Sequence, residues 1–528
     1  MAGLSRKYLI LLGFIFLLAS VAFTLNIKQL TLIPDESLRA LVALEMHLTG
    51  DYVTPKMGGE YYYKKPPVFN WIVAGYYQLT GDYSEMATRV PMLISFLVLS
   101  FLIFWFAKKH FNHRTAIVAA LVFAVSPRII SYETLFGLID MTYSLVVFLT
   151  IVLTWQLAAK KKNLSLFLIT YFLTALSFLM KGIPSIAYQG LTLLVVFLMN
   201  REFKKLFTWQ HLTGGLLFLL TLSGYYFAYS LKNPGHLEIA LRTIFMESAE
   251  KSGIAYSFFD VLLHSVSFVG EIFYNYLPAS LFVVLLFSSK IRQFVVKQRF
   301  VLFLSLAFVA NISIYLVSPT TYMRYVIPHF ALLSIAFAAT YFHFKESEKK
   351  IKLIKFIDGF FLVVAILIWL GHWSYGFVPQ LDMIDFRWIK LTALAILLGV
   401  PIVVLFKKRK FRIELLIISL LVFKLGFNWF IIPSRTHGFY LNEMREKSIS
   451  VGEKMQGKKA VLYNEGLIQT THFYLTAGKR ELIPIAKDTN GLDYFIGYSH
   501  PLNLSHKQVV DSFRIEGTEN LLKIYKFK

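Results

Sequence analysis

Long apolar runs separated by short polar loops fill most of the chain. A membrane-spanning helix needs about 20 mostly apolar residues. Runs that meet this requirement predict spans at 8–27, 90–107, 115–131, 139–158, 165–181, 184–199 and 212–230. Further spans are predicted at 266–288, 300–318, 325–343, 355–376, 390–406 and 413–432, thirteen in all. The eighth is the least regular, because it holds Glu271 and the triplet Tyr274-Asn275-Tyr276. The first carries a signal-like stretch ending at Ser20-Val21-Ala22, but its apolar run continues through Phe23 to Ile27. That exceeds the core of a signal peptide, about 7–15 residues, so it reads as an uncleaved helix.

Two segments break the pattern. Residues 28–88 form a long loop with two amphipathic stretches, Ser37 to Leu48 and Val68 to Leu79, suited to lying in the membrane interface. From residue 433 onward strand-like runs appear at 459–463, 482–485, 492–496 and 521–525, with helical stretches at 466–477 and 505–513. Short strands alternating with helices predict a small α/β unit. The expected fold class is an α-helical polytopic membrane protein, residues 1–432, followed by an exterior α/β domain, residues 433–528.

Composition supports this. Only 16% of the 528 residues are charged and 56% are hydrophobic, too few polar side chains to cover a string of soluble domains. Fifty Phe and 29 Tyr exclude a disordered chain. The absence of cysteine excludes disulfides, thiolate catalysis and Cys-ligated metals. A net charge of +23 raises the question of a nucleic-acid partner. The cations answer it by their position. Lys108-Lys109, Lys160 to Lys162, Lys204-Lys205, Lys290 with Arg292, Lys345 to Lys355 and Lys407 to Lys410 all follow even-numbered spans. Cytoplasmic loops collect Lys and Arg, which predicts a cytoplasmic N-terminus and an exterior first loop and C-terminal domain. No nucleic acid is needed to explain the charge.

What remains outside is a small ionisable set: Asp35, Glu36, Asp140, Lys64, Lys65, Lys181 and Arg324. Acids and cations meeting at one membrane face suit an anionic lipid head group and a proton acceptor. Each has a plainer reading taken singly. Asp35 and Asp140 are good helix caps, Lys181 and Arg324 are placed to snorkel, and Lys64-Lys65 fits a solvated turn. Tyr61, Tyr62, Tyr63, Trp71, Tyr76 and Tyr77 fit either a lipid groove or an interfacial belt. Lys424 and His372 read as structural polar contacts, and Glu133 has no assigned role.

Order along the chain adds weight. Pro34-Asp35-Glu36-Ser37-Leu38-Arg39-Ala40 leads to Thr49-Gly50-Asp51-Tyr52-Val53-Thr54-Pro55, then Tyr61-Tyr62-Tyr63-Lys64-Lys65-Pro66-Pro67, then Arg89-Val90-Pro91. This resembles the first exterior loop of the aminoarabinose lipid A transferases and the related protein O-mannosyltransferases, GT-C membrane glycosyltransferases that use polyprenyl-phosphate sugars. Ile139-Asp140-Met141, Met180-Lys181-Gly182 and Arg324-Tyr325-Val326-Ile327-Pro328 look like later pieces of that family. The resemblance implies Asp35 as the catalytic carboxylate, Asp140 as a second acid, and Lys65 on the donor phosphate with Tyr62 and Tyr325 lining its pocket. Lys64, Lys181 and Arg324 would surround the same phosphate, and Glu36 adjoins the catalytic acid. A further family cation in the loop before the eighth span has no clear counterpart, Lys251 being the candidate.

Relatives carry an acid before the phosphate-binding lysine as part of a metal site. Lys64 reverses that charge, so a divalent metal is in doubt and none is expected to be required. The implied reaction is a single inverting displacement on a polyprenyl-phosphate sugar, with a lipid, protein or glycan acceptor and membrane lipids around it. A lipid-linked glycan flippase or transporter is the alternative class, disfavoured by the lack of visible inverted repeats. A glycan polymerase or ligase is a third reading.

Overall fold

The computed structural model describes residues 5–250, 256–347, 351–437, 441–463, 468–486, 491–498, 507–515 and 521–527. Helix α1 (Arg6–Thr24) is capped by the Ser5 hydroxyl, which accepts from Tyr8 N at 3.4 Å. The first loop contains α2 (Pro34–Thr49), a two-stranded hairpin of β1 (Lys56–Met57) and β2 (Glu60–Tyr61), and α3 (Val68–Thr80). Pro34 opens α2 at a position where a missing N–H costs nothing, and Gly50 ends it at φ 70°.

The bundle continues with α4 (Glu85–Lys108), α5 (His113–Ala124), α6 (Ile139–Ala159), α7 (Asn163–Lys181), α8 (Pro184–Met199) and α9 (Trp209–Lys232). After α10 (Leu237–Glu250) come α11 (Phe258–Asn275), α12 (Leu281–Leu285), α13 (Ser289–Lys297), α14 (Arg299–Leu316) and α15 (Ile327–Glu346). The last three bundle helices are α16 (Lys352–Gly371), α17 (Arg387–Leu405) and α18 (Arg412–Gly426). Each of the thirteen predicted spans overlaps one of these helices. Among the described residues ten helical segments are long and apolar enough to cross a membrane, and α5 and α8 are shorter apolar helices.

Two spans differ from their expected outlines. The third ends as α-helix at Ala124 and resumes as a π-helical turn, Ile129–Glu133, which bends the chain toward α6. The eighth starts earlier than residue 266 and stops at Asn275. Pro278 follows within a turn, and with no backbone N–H it cannot extend the hydrogen-bond ladder toward 288. Helix α15 is buried along nearly its whole length and forms the centre of the bundle.

The C-terminal part begins with α19 (Ile432–His437) and α20 (Leu441–Lys454). It then runs through β3 (Ala460–Tyr463), α21 (Gln469–Lys479), β4 (Ile485–Ala486), β5 (Tyr494–Tyr498), β6 (Lys507–Arg514) and β7 (Leu521–Phe527). The sheet order is β4-β3-β5-β7-β6, with β3 parallel to β4 and β5 and the remaining pairs antiparallel. The helix expected at 505–513 is instead strand β6. Val509 and Phe513 imitate a helical i,i+4 pair. The pairing slips between Val509 and Asp511, and beyond it buried Phe513 and Ile515 flank exposed Arg514 with the period of two that marks a strand. Helix α20 was not anticipated. It crosses α21 so closely that a Cβ on Gly452 would lie 2.3 Å from the Leu475 carbonyl oxygen, and one on Gly478 2.3 Å from that of Ile449.

This unit grips the first loop. Ser37 Oγ and Thr470 Oγ1 are 3.0 Å apart, and the Tyr474 hydroxyl accepts from Leu32 N at 3.0 Å while donating to Glu85 Oε1 at 2.8 Å. Ile485 N donates to Gly58 O at 2.8 Å, tying β4 to the tip of the β1–β2 hairpin. Helix α2 is consequently buried on most of its surface from Glu36 to Met46, rather than resting one face in the interface as its amphipathic pattern predicts.

Candidate active site

The site is built around a pinned junction. Arg89 on α4 donates from Nε to Glu36 Oε1 at 2.8 Å and from Nη2 to Glu36 Oε2 at 3.0 Å. Its remaining donors meet the carbonyls of Ile27, Leu30 and Thr31. Glu36 Oε1 also accepts from Gly137 N at 2.7 Å. One carboxylate thereby fixes the loop after α1, the start of α2 and the approach to α6. Glu36 is committed to this junction, and the neighbouring Asp35 projects outward with its side chain 58% exposed.

From Asp35 a line of alternating charge runs inward. Arg324 Nη1 donates to Asp35 Oδ2 at 2.6 Å, and Arg324 Nε lies 3.9 Å from Asp140 Oδ2. Asp140, buried in the first turn of α6, is in turn bonded to Lys181 at the last residue of α7. The Lys181 ammonium lies 4.6 Å from the Tyr325 ring centre and 5.1 Å from that of Tyr143. Gly182, at φ 81°, ends α7 directly after Lys181. The structure therefore brings Asp35, Asp140, Lys181, Arg324 and Tyr325 together from four separate stretches of chain.

Two cavities adjoin this line. The first, of about 530 Å³, has Lys64, Lys65, Lys181 and Tyr325 at its polar part and Ile183, Pro184, Ile314 and Val317 among its apolar walls. Lys65 Nζ donates to both carboxylate oxygens of Glu247 on α10, each at 2.7 Å. Tyr62 lines a small recess beside Lys65, and its hydroxyl accepts from Arg39 Nη2 at 2.9 Å. Burial pushes the Tyr62 phenol up, with the Arg39 guanidinium pulling against it. The second cavity, of about 440 Å³, is polar and is lined by Asp35, Arg128, Tyr132, Glu271, Asn275 and Arg324. Adjacent residues Arg324 and Tyr325 face different cavities while Thr321 lines both, so the charged line is a partition between two adjoining cavities.

Sequence reasoning gave no functional role to Arg128, Glu133, Glu247 and Glu271. Arg128 is held by buried Glu133 at 2.8 Å and stacks over Tyr132 at 4.1 Å. A signal existed for it: Arg128 falls inside the predicted third span, and a cation there is expensive without a role. Glu247 offered none, since α10 is a loop helix far along the chain from Lys65. Lys251 lies outside the described residues. Lys424 makes no structural contact of the kind expected: its buried Nζ has no hydrogen-bond partner among the described residues. Among those residues, too, no group of three His, Asp or Glu side chains is arranged to hold a metal ion.

The fold has a solved counterpart in ArnT from Cupriavidus metallidurans bound to undecaprenyl phosphate, with a TM-score of 0.68 over 98% of both chains at 18% identity. The chain accordingly shares the overall fold of that membrane protein. Residues 64–227 match the family model described as dolichyl-phosphate-mannose-protein mannosyltransferase. The chain is 29% identical over 201 residues to an undecaprenyl phosphate-alpha-4-amino-4-deoxy-L-arabinose arabinosyl transferase of Proteus mirabilis, covering 37% of this chain and 36% of the relative. A second such protein of the same organism is 25% identical over 359 residues, covering 66% of this chain and 61% of the relative. Both alignments span less than two thirds of the relative's length. The resemblance carried by the first loop is borne out.

Proposed function

We propose that this protein is an inverting glycosyltransferase that moves a sugar from a polyprenyl-phosphate donor to an acceptor at the outer face of a bacterial inner membrane. The observation that carries this reading is the partition between two cavities of opposite character. A donor of this class has an anionic head and a long apolar tail. The first cavity offers both environments, with Lys65 and Lys181 near the head and Ile183, Pro184, Ile314 and Val317 along the tail. The relatives named above act on, or are bound to, undecaprenyl phosphate, in keeping with such a donor.

The chemistry follows from charge. Breaking the sugar–phosphate bond builds negative charge on the phosphate, and cations fixed in advance stabilise it without reorganising. Lys65 and Lys181 take that role, with Arg324 behind them. Asp35 stands in the other cavity as an exposed carboxylate able to take a proton from the acceptor. Arg324 orients it through the Nη1–Oδ2 contact. Attack from the Asp35 side with departure toward the lysines places the two groups on opposite faces of the sugar, which inverts the anomeric centre. Cationic side chains perform the charge stabilisation in this scheme, with no metal.

A lipid acceptor is favoured over a protein or a glycan, because the first loop resembles that of the lipid A transferases and the relatives are named as arabinosyl transferases. The alternation of Lys and Arg among the loops supports an N-terminus in the cytoplasm and the site outside. The decisive experiment incubates the purified protein with a labelled polyprenyl-phosphate sugar and a membrane lipid extract. Mass spectrometry of lipid A, glycans and glycoproteins with and without the gene runs in parallel. One defined sugar mass lost from the lipid fraction is expected. Unchanged lipids, glycans and glycoproteins, with no transfer in vitro, would overturn the reading.

A further inference from the structure

Lys65 is not simply waiting at the cavity wall. Both Glu247 oxygens lie 2.7 Å from its Nζ, the side chains are 19% and 25% exposed, and both residues line the first cavity. The pairing joins two distant pieces of chain, the first loop and α10. A carboxylate that presents two oxygens to an ammonium makes the same contact that two phosphate oxygens would make. Taking the donor reading above as its basis, we propose that Glu247 competes with the polyprenyl-phosphate head group for Lys65 and so serves to release the product.

The charge arithmetic gives the competition a direction. The donor phosphate is a diester with one negative charge. Transfer of the sugar leaves a monoester, whose second ionisation near pH 6 brings it close to two negative charges at neutral pH. Cations gathered to stabilise the leaving group would, for the same reason, hold this product more tightly than the donor. A nearby carboxylate opposes both anions, and opposes the dianion more strongly. Glu247 thereby reduces the affinity that the product gains by becoming a dianion, and offers Lys65 a partner as the phosphate departs.

Helix α10 is suited to such an exchange. Its buried side chains are Ala240 and Ile244, with Ile244 seated against Gly182, so that a Cβ there would lie 3.2 Å from Ile244 Cγ2. Ile239, Phe245 and Met246 are exposed on the rest of the helix. Glu247 itself is half-buried and lies one turn beyond Ile244 in the chain, at the wall of the first cavity.

The test uses the full-length protein in lipid nanodiscs, with undecaprenyl phosphate as the product probe and its sugar-bearing form as the donor. A partly exposed ion pair contributes modestly, so Glu247→Gln is expected to lower the donor KM roughly two- to five-fold. Undecaprenyl phosphate should gain affinity by a larger factor than the donor, and kcat should fall as release slows. The extra product affinity should grow as pH rises through about 6, a signature that mere loosening of α10 would not give. Glu247→Ala, which removes the carboxylate without inserting an amide, should act in the same direction. In a Lys65→Met background, Glu247→Gln should have a smaller effect, because competition for the ammonium is gone and only the direct repulsion between carboxylate and phosphate remains to be removed. Equal or weaker product binding by both Glu247 variants, with the parent binding normally, overturns this role and leaves the donor reading intact. A parent protein that binds no undecaprenyl phosphate overturns the donor reading and this role together.

Discussion

Glu36 and Arg89 meet as a two-pronged ion pair with neither side chain exposed. Removing one partner of such a pair leaves an uncompensated buried charge, at a cost of about 3–5 kcal/mol. Arg89 keeps its backbone carbonyl partners, so Glu36→Gln should fall at the lower end of that range. The expected result is a clear drop in thermal unfolding midpoint in detergent, with loss of transfer because Asp35 and Gly137 lose their common anchor. An unchanged midpoint would contradict the junction described here.

Asp35→Asn keeps the shape of the side chain and removes its basicity. Sugar transfer should fall roughly 10²- to 10⁴-fold, the usual contribution of a positioned base. Binding of polyprenyl phosphate should persist, because Lys65 and Lys181 are untouched. Single-turnover kinetics and lipid binding on the same preparation separate the two effects. Near-parental transfer would remove Asp35 from the mechanism.

Gly137 occupies a place no other residue fits. A Cβ there would lie 2.7 Å from the Thr88 carbonyl oxygen and 3.1 Å from Glu36 Oε1. Gly137→Ala should destabilise the protein by about 1–3 kcal/mol, as overpacking commonly does. It should also depress transfer more than an alanine at Gly75, where a Cβ meets open space. Equal effects at the two positions would show that the Gly137 contact is unimportant.

Glu45, in the first loop, is buried within α2 and accepts from Gly59 N at 3.0 Å. Burial pushes its carboxyl from 4.5 to about 7, against the pull of the hairpin N–H groups. An acid whose folded value is raised binds its proton more tightly in the folded state. Its stabilising contribution is full below about 4.5 and is lost as pH rises through about 7. Chemical unfolding of the parent should therefore weaken across that window relative to Glu45→Gln, by an amount on the order of 3 kcal/mol. Parallel pH profiles for the two proteins would refute the shift.

The spans were legible because membrane burial writes itself as long apolar runs, which needs no partner to interpret. The acids and cations of the partition were legible as exceptions to that rule: Asp35, Asp140, Lys181 and Arg324 stand at helix ends where charge is otherwise unexpected. Glu36 drew notice for the same reason, yet it serves the scaffold, since nothing local shows that Arg89 will reach it. Glu247 was invisible because its meaning depends on a contact with Lys65 across most of the first nine helices. Strand β6 was misread because a pairing irregularity disturbed the alternation over its first half. Local pattern reports solvent, lipid and turn chemistry; it does not report which distant side chain completes a pair.

The hold of α21 on α2 has a consequence for how the protein comes into being. The ribosome makes the segment bearing Asp35 among the earliest parts of the chain, yet Thr470, Tyr474 and Ile485, which fasten that segment, emerge hundreds of residues later. The helical bundle can insert and pack during synthesis, but the first loop lacks its fastening until α21 and β4 are in place. A nascent or prematurely terminated chain is thus inserted with its first loop unfastened, and the geometry around Asp35 is set only once α21 and β4 have been made.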